Sequence, residues 1–239
     1  ALSEGGLRAS TGRSRQRLLG ALVVWQIALT LVLLTGAGLL IRSFIRLAGV
    51  NPGFVASGVL AVEMERPDTP ENRQEPARAA FYQNAVDQLA RLPGVESVGA
   101  TDAHPLGDGY SQTAFTIRDE ASGTDRSVSA QYRLVTDEYF SCLKIPLFRG
   151  RFFEPADRMA QERIIIVDQE FVRRYVPDGE PLGKTIVHWE TVKRIVGVVG
   201  NVKVFSLSDH DGPPMMYEPI HQRCGRGMTI LVRTGGDPM

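Results

Sequence analysis

The sequence contains little cysteine and no excess of charge of either sign. Two cysteines occur among 239 residues, which is too few for a disulfide framework. Cys142 and Cys224 are far apart in the sequence, which leaves open whether they pair in an oxidising compartment. Basic and acidic residues number 27 each, so the chain lacks the positive excess of a general nucleic-acid binder. We therefore expect no nucleic acid among its partners.

The motifs of common catalytic and metal sites are also missing. Neither a G-x-S-x-G elbow nor an H-E-x-x-H pair occurs. Cys142 lies in the apolar stretch "YFSCLKI" without a nearby histidine, which favours a buried small residue over a nucleophile. His210, Asp211, His221 and Cys224 come nearest to a metal cluster, but their spacing fits no compact zinc pattern. We predict no catalytic, cofactor-binding or metal residues, and a protein that is not an enzyme.

One long hydrophobic run stands near the N-terminus. It covers Leu18 to Ile41 without a charge. As a helix it would be about 36 Å long, enough to cross a bilayer core of about 30 Å. A signal peptide would have a shorter apolar core and a small-residue cleavage site, whereas "RSFIRL" follows here. A buried helix of a soluble protein is the other alternative, but it seldom lacks charge for so long. We predict a transmembrane helix with its extension over 18–46.

Positive charge flanks this run unequally. Four arginines precede it and two follow it, namely Arg8, Arg13, Arg15 and Arg17 against Arg42 and Arg46. Because cytoplasmic flanks carry the larger number of Lys and Arg, the N-terminus is predicted in the cytoplasm. Residues 1–17 then form a cytoplasmic linker. The rest of the chain would then lie outside the inner membrane, whose lipid is itself a partner.

The remaining residues alternate between strand and helix patterns, which predicts an α+β domain over 55–239. A polar linker over 67–75 and a turn over 120–125 separate some of the elements. Strands are predicted at 58–66, 95–103, 113–119, 126–135, 163–167, 184–189, 191–202, 214–220 and 228–234. Helices are predicted at 76–92, at 136–143 with Thr136 or Asp137 as its cap, and from about Asp168 onward.

The segment "DGEPLGKTI" (178–186) looks at first like a nucleotide-binding loop. A Walker A loop has the form G-x-x-x-x-G-K-[ST], but Gly179 and Gly183 enclose three residues, one too few. Asp178 stands where the first glycine is needed, and Pro181 lacks an N–H for the phosphate. The segment follows a predicted helix and precedes a predicted strand, the reverse of a phosphate loop. We predict a turn, with Lys184 as a solvated charge.

Several blocks together resemble ABC-type permeases of the FtsX-like, MacB-related family. Their helix–PGV–strand block resembles "FYQNAVDQLARLPGVESVGATDAHPLGDG", and their "GIPLLRGR-F" turn resembles "YFSCLKIPLFRGRFFEPADR". Leu143-Lys144 stands where glycine is commoner in that turn. "IIIVDQEFVRRYVPDGEPLGKTI" and "RIVGVVGNVKVFSL" match two later blocks, and "LVVWQIALTLVLLTGAGLLIRSFIRLAGVNPGF" (Leu22 to Phe54) resembles the helix that leads into the periplasmic domain.

The chain is most similar to the duplicated permeases known from acidobacteria. In this comparison, residues 1–17 resemble the linker that enters the second permease half. Family members continue into three further membrane helices, so we expect this chain to be a fragment that lacks the C-terminal transmembrane helices.

The resemblance implies a mechanism without chemistry in this chain. A separate cytoplasmic ABC ATPase subunit would hydrolyse ATP. The permease, with a second half or subunit and a periplasmic adaptor, would pass the movement to a MacB-like periplasmic core domain for export or mechanotransmission. A membrane-anchored binding or sensor domain without transport activity is the first alternative, and a membrane-anchored enzyme with a polar pocket is the second. The sequence leaves the substrate open.

Overall fold

The computed structural model describes residues 9–66, 69, 74–107, 109, 111–118, 124–177, 179–204 and 212–236. Most of the predicted linker at 67–75 and of the predicted turn at 120–125 lies outside these residues, as do Asp178, His210 and Asp211. The chain divides into two compact units, Ala1–Val50 and Asn51–Met239, and each is considered by itself.

The first unit is a single long helix, α1 (Ala9–Ala48). It includes the predicted membrane segment and begins at Ala9 rather than at Leu18. Its portion Gln16–Ala48 is long and apolar enough to cross a membrane, judged by length and composition. The hydroxyls of Thr30 and Thr35 each donate to the carbonyl four residues earlier, at 2.7 Å. The helix thereby satisfies these polar groups itself, as an apolar surrounding requires.

The second unit contains ten strands and three helices among its described residues. The strands are β1 (Val59–Glu65), β2 (Val95–Thr101), β3 (Gln112–Arg118), β4 (Asp125–Val135), β5 (Leu147–Gly150), β6 (Ile164–Asp168), β7 (Thr185–His188), β8 (Thr191–Val199), β9 (Met215–Pro219) and β10 (Gly227–Thr234). The helices are α2 (Glu75–Leu89), α3 (Tyr139–Leu143) and α4 (Gln169–Tyr175), and Pro155–Met159 forms a 3₁₀ helix. The α+β class predicted from the sequence is confirmed.

Six of the strands close into a barrel. Strand β4 pairs with β3 on one side and, in parallel, with β9 on the other. The pairs β3–β7, β7–β8, β8–β6 and β6–β9 complete the ring. One buried apolar cluster takes residues from all six strands, including Phe115, Ala130, Ile165, Ile186, Ile195 and Met216. Because alternate residues of a strand point to one face, this cluster marks the barrel interior. Phe171 of α4 stacks on Phe115 within it, with 5.2 Å between ring centroids.

Three of the other strands form a layer, β1-β10-β2, between two helices, and the fourth, β5, pairs with β8. Val98, Ala100 and Ile230 belong to the cluster that packs on α2, whereas Leu231 belongs to the cluster that contains α3. Gly99 allows α3 to approach closely, since a Cβ there would lie 2.8 Å from the Cα of Tyr139. The layer joins the barrel where β2 meets β4.

Some local predictions differ from the structure. The predicted cap of α3 is wrong, because both candidate side chains have other partners. The hydroxyl of Thr136 accepts from the N–H of Ala100 at 2.9 Å, and Asp137 accepts from Arg158 at 2.8 Å. The N-cap residue is Glu138, whose side chain makes no capping hydrogen bond. Helix α2 ends at Leu89 rather than at 92.

The residue that ends α3 explains one feature of the resemblance. Lys144 has the left-handed backbone conformation, with φ 55°. Glycine reaches this conformation without a steric penalty and is the usual residue there. The position where the family more commonly has glycine therefore carries a lysine in a glycine-like conformation.

Candidate functional site

The segment that resembles a nucleotide-binding loop is a turn between α4 and β7. The predicted order, helix before strand, is confirmed. Gly183 has φ 80°, which a turn requires and glycine supplies. Three successive N–H groups that a phosphate cradle would need are already bonded within the chain. They donate from Leu182 to Glu180 Oε1 at 3.3 Å, from Gly183 to Ile195 O at 2.8 Å and from Lys184 to Pro181 O at 3.3 Å.

The two cysteines are buried free thiols in different hydrophobic clusters. Cys142 is a residue of α3, and Cys224 belongs to the cluster that packs on α2. Burial raises the pKa of both thiols, that of Cys224 to about 11. Because the thiolate is the reactive form and a raised pKa disfavours it, both cysteines behave as small apolar residues.

The metal candidates of the sequence do not form a site in the described residues. His221 is half-buried, and no group of three His, Cys, Asp or Glu among the described residues is placed to hold a metal.

A cavity of about 470 Å³ lies beside β1, β10 and the end of β2. Asp102 lines it, and burial raises the pKa of this carboxyl to about 6. Its Oδ1 accepts the backbone N–H of Leu134 at 3.0 Å. The carboxylate thus fixes the turn after β2 to β4, which is a structural use of the group.

A cluster of charged side chains lies inside one end of the barrel. Lys193 precedes Ile195 of the barrel core by two residues, Glu218 follows Met216 by two, and His188 follows Ile186 by two. Strand alternation therefore turns all three inward. Their exposed fractions are 3%, 4% and 1% respectively. Charged residues this buried are rare unless they are paired.

These three side chains form a hydrogen-bonded chain. Lys193 Nζ donates to Glu218 Oε1 at 2.6 Å and lies 3.3 Å from His188 Nδ1. Because an ammonium can only donate, Nδ1 is the acceptor. His188 Nε2 then carries the proton and donates to Thr113 Oγ1 at 3.0 Å. Glu218 Oε2 has no hydrogen-bond partner among the described residues.

The surroundings keep the histidine of this cluster neutral. Burial lowers the pKa of His188 to about 4, and the nearby cations Lys193 and Arg223 act in the same direction. Burial also lowers the pKa of Lys193, against the opposing effect of Glu218. The cluster is therefore an ion pair next to a neutral imidazole near pH 7.

Trp189 covers this end of the barrel. Trp189 and Glu190 form the two-residue turn between β7 and β8, with φ 48° and 58°. Both angles suit the primed turns of hairpins, although neither residue is a type that favours them. The indole stacks on the His188 ring, with 3.7 Å between ring centroids, and the guanidinium carbon of Arg223 lies 3.5 Å from its centre. Trp189 lines a cavity of about 190 Å³. We call this the barrel mouth; its lining is Glu75, Arg163, His188, Trp189, Thr191, Lys193, Glu218, Gln222 and Arg223.

A second candidate region is the segment 51–58, which joins β1 to the chain before it. Arg233 of β10 is 4% exposed and binds this segment. Its guanidinium donates to the carbonyls of Ser57 at 2.9 Å, Val55 at 2.5 Å and Cys142 at 2.6 Å. Gly53 has φ 85°, and a Cβ there would lie 1.9 Å from a backbone oxygen. The segment is therefore packed directly on the domain.

The first and last strands of this unit are neighbours. β1 and β10 pair antiparallel along their whole length, with Val59 opposite Arg233. The start of β1 and the end of β10 consequently lie side by side, and Arg233 joins both to α3 through Cys142. We call segment 51–58 together with Arg233 the junction.

Comparison with known proteins now decides the family. The family model described as the MacB-like periplasmic core domain matches residues 23–235. The chain belongs to this family. The predicted resemblance to a MacB-like ABC permease, with its periplasmic domain, is thereby confirmed.

Individual relatives agree with this assignment of a MacB-like domain. A curated relative, the macrolide export ATP-binding/permease protein MacB 1/2 of Paracoccus denitrificans (strain Pd 1222), is 30% identical over 110 residues. That match covers 46% of this chain and 14% of the relative, so the chain spans a small part of its length.

Two solved structures share the fold. One is the periplasmic region of MacB from Actinobacillus actinomycetemcomitans, with TM-score 0.52, 16% identity and 78% of each chain covered. The other is the extracellular domain of the noncanonic ABC-type transporter YknZ from Gram-positive bacteria, with TM-score 0.50 and 17% identity. It covers 74% of this chain and 84% of that one. At such identities the likeness concerns the fold alone.

Sequence reasoning found neither the barrel mouth nor the junction. The signal for the first was present, because Lys193 and Glu218 occupy inward positions of strands whose other inward residues are apolar. The contact between Lys193 and Glu218 could not be predicted from the sequence, because 24 residues lie between them and their strands are not neighbours in the barrel.

Proposed function

We propose that this MacB-like chain is the permease part of an ABC-type export or mechanotransmission system. Residues 1–17 lie in the cytoplasm, 18–46 cross the inner membrane and 55–239 form the periplasmic domain. ATP is hydrolysed by a separate cytoplasmic ATPase, and the periplasmic domain converts the movement into displacement of a substrate or partner. A second permease half and a periplasmic adaptor complete the system, and the domain itself performs no chemistry.

The junction is the observation that carries this proposal. A domain that is moved by membrane helices needs a stiff attachment, because a flexible linker would absorb the displacement. Segment 51–58 accepts two hydrogen bonds from Arg233, at Val55 and Ser57, and the N–H of Lys203 adds a third at the carbonyl of Pro52, at 2.8 Å. A further Arg233 bond reaches Cys142 rather than the segment, so it connects the segment to α3. Displacement at Asn51 would reach the whole β1-β10-β2 layer.

The test is to soften the attachment without changing the domain. Four residues, Gly-Ser-Gly-Ser, are inserted between Asn51 and Pro52 of the permease that contains this chain. The permease is reconstituted with its ATPase in lipid nanodiscs. Ala160→Cys supplies an exposed labelling site, and the native cysteines are buried. We expect an ATP-dependent change of a fluorophore on this cysteine in the parent, and its loss in the insertion variant with ATP hydrolysis retained.

A matched control places the same four residues between Leu92 and Pro93, in the exposed turn after α2. That variant should keep the ATP-dependent change. An unaltered signal after insertion at Asn51 would refute coupling through the junction. A parent without any ATP-dependent change would refute the coupling proposal as a whole.

Membrane orientation has its own test. Alkaline phosphatase fused after Met239 should be active, and green fluorescent protein fused at the same position should stay dark, because the first requires the periplasm and the second the cytoplasm. The opposite pair of results would reverse the orientation inferred from the flanking arginines.

A membrane-anchored binding domain without transport is the second candidate. The barrel mouth favours it, because a cavity lined by convergent polar groups is typical of ligand sites. This candidate predicts a fluorophore at residue 160 that responds to a small ligand and ignores ATP.

A further inference from the structure

The barrel mouth holds more positive charge than its own carboxylates neutralise. Three cations line it, Arg163, Lys193 and Arg223, together with Glu75 and Glu218. Glu218 is paired with Lys193, and Glu75 lies 3.8 Å from Arg78. Neither Arg163 nor Arg223 forms an ion pair with a described residue. Two guanidinium groups are therefore left to face an anion, which is the ligand class that their planar donors suit.

Donors converge on the cavity from several elements. The ammonium of Lys193 has three N–H bonds and gives two of them to Glu218 and His188, so one remains. The guanidinium carbon of Arg223 lies 3.5 Å from the centre of the Trp189 ring, a cation–π contact that uses none of the five N–H donors. Arg163 uses Nη1 to donate to the carbonyl of Gln222 at 2.6 Å and keeps its other donors.

Glu218, unlike the cations, requires a hydrogen-bond donor from the ligand. Glu218 lines the cavity, and its Oε2 is buried and has no donor among the described residues. An acceptor without a donor is costly in a low-dielectric site. A fully deprotonated oxyanion would only repel this oxygen, whereas an oxyanion that still carries a hydroxyl could donate to it.

The size and position of the cavity further limit which ligands can bind. About 190 Å³ is below the roughly 300–1,000 Å³ of sites for drug-sized molecules, so the ligand has few heavy atoms. The mouth of a barrel is a common place for such sites, because strand ends bring side chains of several strands together.

We propose that the barrel mouth binds a small protonated oxyanion, hydrogen phosphate or the phosphate group of a phosphomonoester. Lys193, Arg163 and Arg223 donate to its charged oxygens. Its P–OH donates to Glu218 Oε2, and Trp189 covers it. This site is independent of the export coupling proposed above, since binding would occur whether or not the domain is moved by ATP.

The experiment compares two anions that differ in the proton. Inorganic phosphate keeps a P–OH near neutral pH, whereas sulfate has none. The 239-residue chain is titrated with each in detergent micelles at equal ionic strength, by isothermal titration calorimetry. The chain has two tryptophans, so in a Trp25→Phe background the fluorescence of Trp189 reports the barrel mouth alone. We expect saturable phosphate binding that changes this fluorescence, and sulfate binding weaker by about tenfold or more.

Two variants assign the roles. Arg223→Ala should weaken phosphate binding by about tenfold or more, whereas Arg91→Ala, an exposed arginine at the far end of α2, should leave it unchanged. Glu218→Gln should reduce the preference for phosphate over sulfate to about threefold or less, because an amide can donate to sulfate. Circular dichroism checks that each variant is folded. If Glu218→Gln does not fold, Arg223→Ala alone tests the proposed site.

Two sources of the phosphate group are distinguished at pH 5.5, where phosphomonoesters also keep a P–OH. Tighter binding of phosphoethanolamine than of inorganic phosphate would assign the site to a monoester, and the reverse to the free ion. Equal affinity for phosphate and sulfate, no saturable binding, or full phosphate affinity in Arg223→Ala would each overturn the proposal.

Discussion

Replacing Arg233 by methionine tests the junction most directly. Methionine fills a similar volume and removes the donors of the three hydrogen bonds to Val55, Ser57 and Cys142. A hydrogen bond to a charged group contributes roughly 1.5–3 kcal/mol. Val55 and Ser57 are exposed, so water can replace the donor at their carbonyls, whereas the carbonyl of Cys142 is left unpaired in the interior.

The expected loss is therefore well below the sum of three bonds. An unpaired buried carbonyl costs roughly 1–3 kcal/mol, and loosening of the segment adds to it. Removing a buried guanidinium also relieves its desolvation, which works in the other direction. We expect Arg233→Met to lower the free energy of unfolding by about 2–3 kcal/mol. Arg233→Lys should be at least as destabilising, because one ammonium cannot reach three carbonyls and remains buried.

Two measurements separate a local from a global effect. Urea unfolding of the chain in detergent micelles, followed by the fluorescence of Trp189 in the Trp25→Phe background, gives the free energy of unfolding. Amide hydrogen exchange reports the junction itself, since the N–H of Val55 donates to Leu143 O and that of Thr234 to Gly58 O, both at 2.9 Å. We expect both amides to lose protection in Arg233→Met, with the barrel amides little changed.

Arg91→Met is the matched control, because this arginine is exposed at the end of α2. It should change the free energy by less than about 0.5 kcal/mol. Arg233→Met with unfolding energy and amide protection equal to those of the parent would show that the three hydrogen bonds do not hold the junction.

Four further predictions follow from single positions. Gly53→Ala should destabilise by about 3 kcal/mol or more, because its Cβ would overlap a backbone oxygen, whereas Gly94→Ala, with φ 83° and nothing within 4 Å, should cost only about 1–2 kcal/mol in urea unfolding. Lys144→Gly should raise the free energy of unfolding by about 1 kcal/mol, because it removes left-handed strain at the end of α3; an unchanged free energy would contradict this. Asp168 has a pKa raised by burial from 3.8 to about 7, so its contribution to stability is full below about pH 4 and falls as the pH rises to 7. Asp168→Asn should remove that fall, by a few kcal/mol, in unfolding measured across this range, and parallel curves would refute it. Lys184→Ala should leave ATP hydrolysis by the assembled system nearly intact, and a loss as complete as that from a Walker lysine would revive the nucleotide-binding interpretation.

The sequence was most informative where the local pattern also decides the structure. The sequence predicts a helix starting near Asp168 after a strand, and the structure shows a local cause, since the Asp168 side chain accepts the N–H of Phe171 at 2.7 Å. The turn at Gly183 was predicted from its glycine and from the wrong length of the loop. In both cases the residues that cause the local structure lie within a few positions of one another, so the local sequence is enough to predict it.

Features that depend on distant pairing could not be predicted in the same way. Thr136 suits a helix cap, but its hydroxyl bonds to Ala100, a residue 36 positions earlier. Strand β5 was missed, because "LFRG" is short and becomes a strand only by pairing with β8. Closure of the barrel depends on the parallel pairing of β4 with β9, and no pattern in the sequence of either strand predicts this pairing.

The place of β10 has a consequence for how the domain is made. This strand, the last of those described, lies between β1 and β2, the first two. In the topology proposed above, β1 and β2 have no hydrogen-bond partner between them until residue 234 has crossed the membrane, and both edges are open to pairing with other chains. Folding of this layer would then wait until β10 has been translocated. The speed of export would set the interval in which the edges stay open, and a periplasmic chaperone would be most needed then.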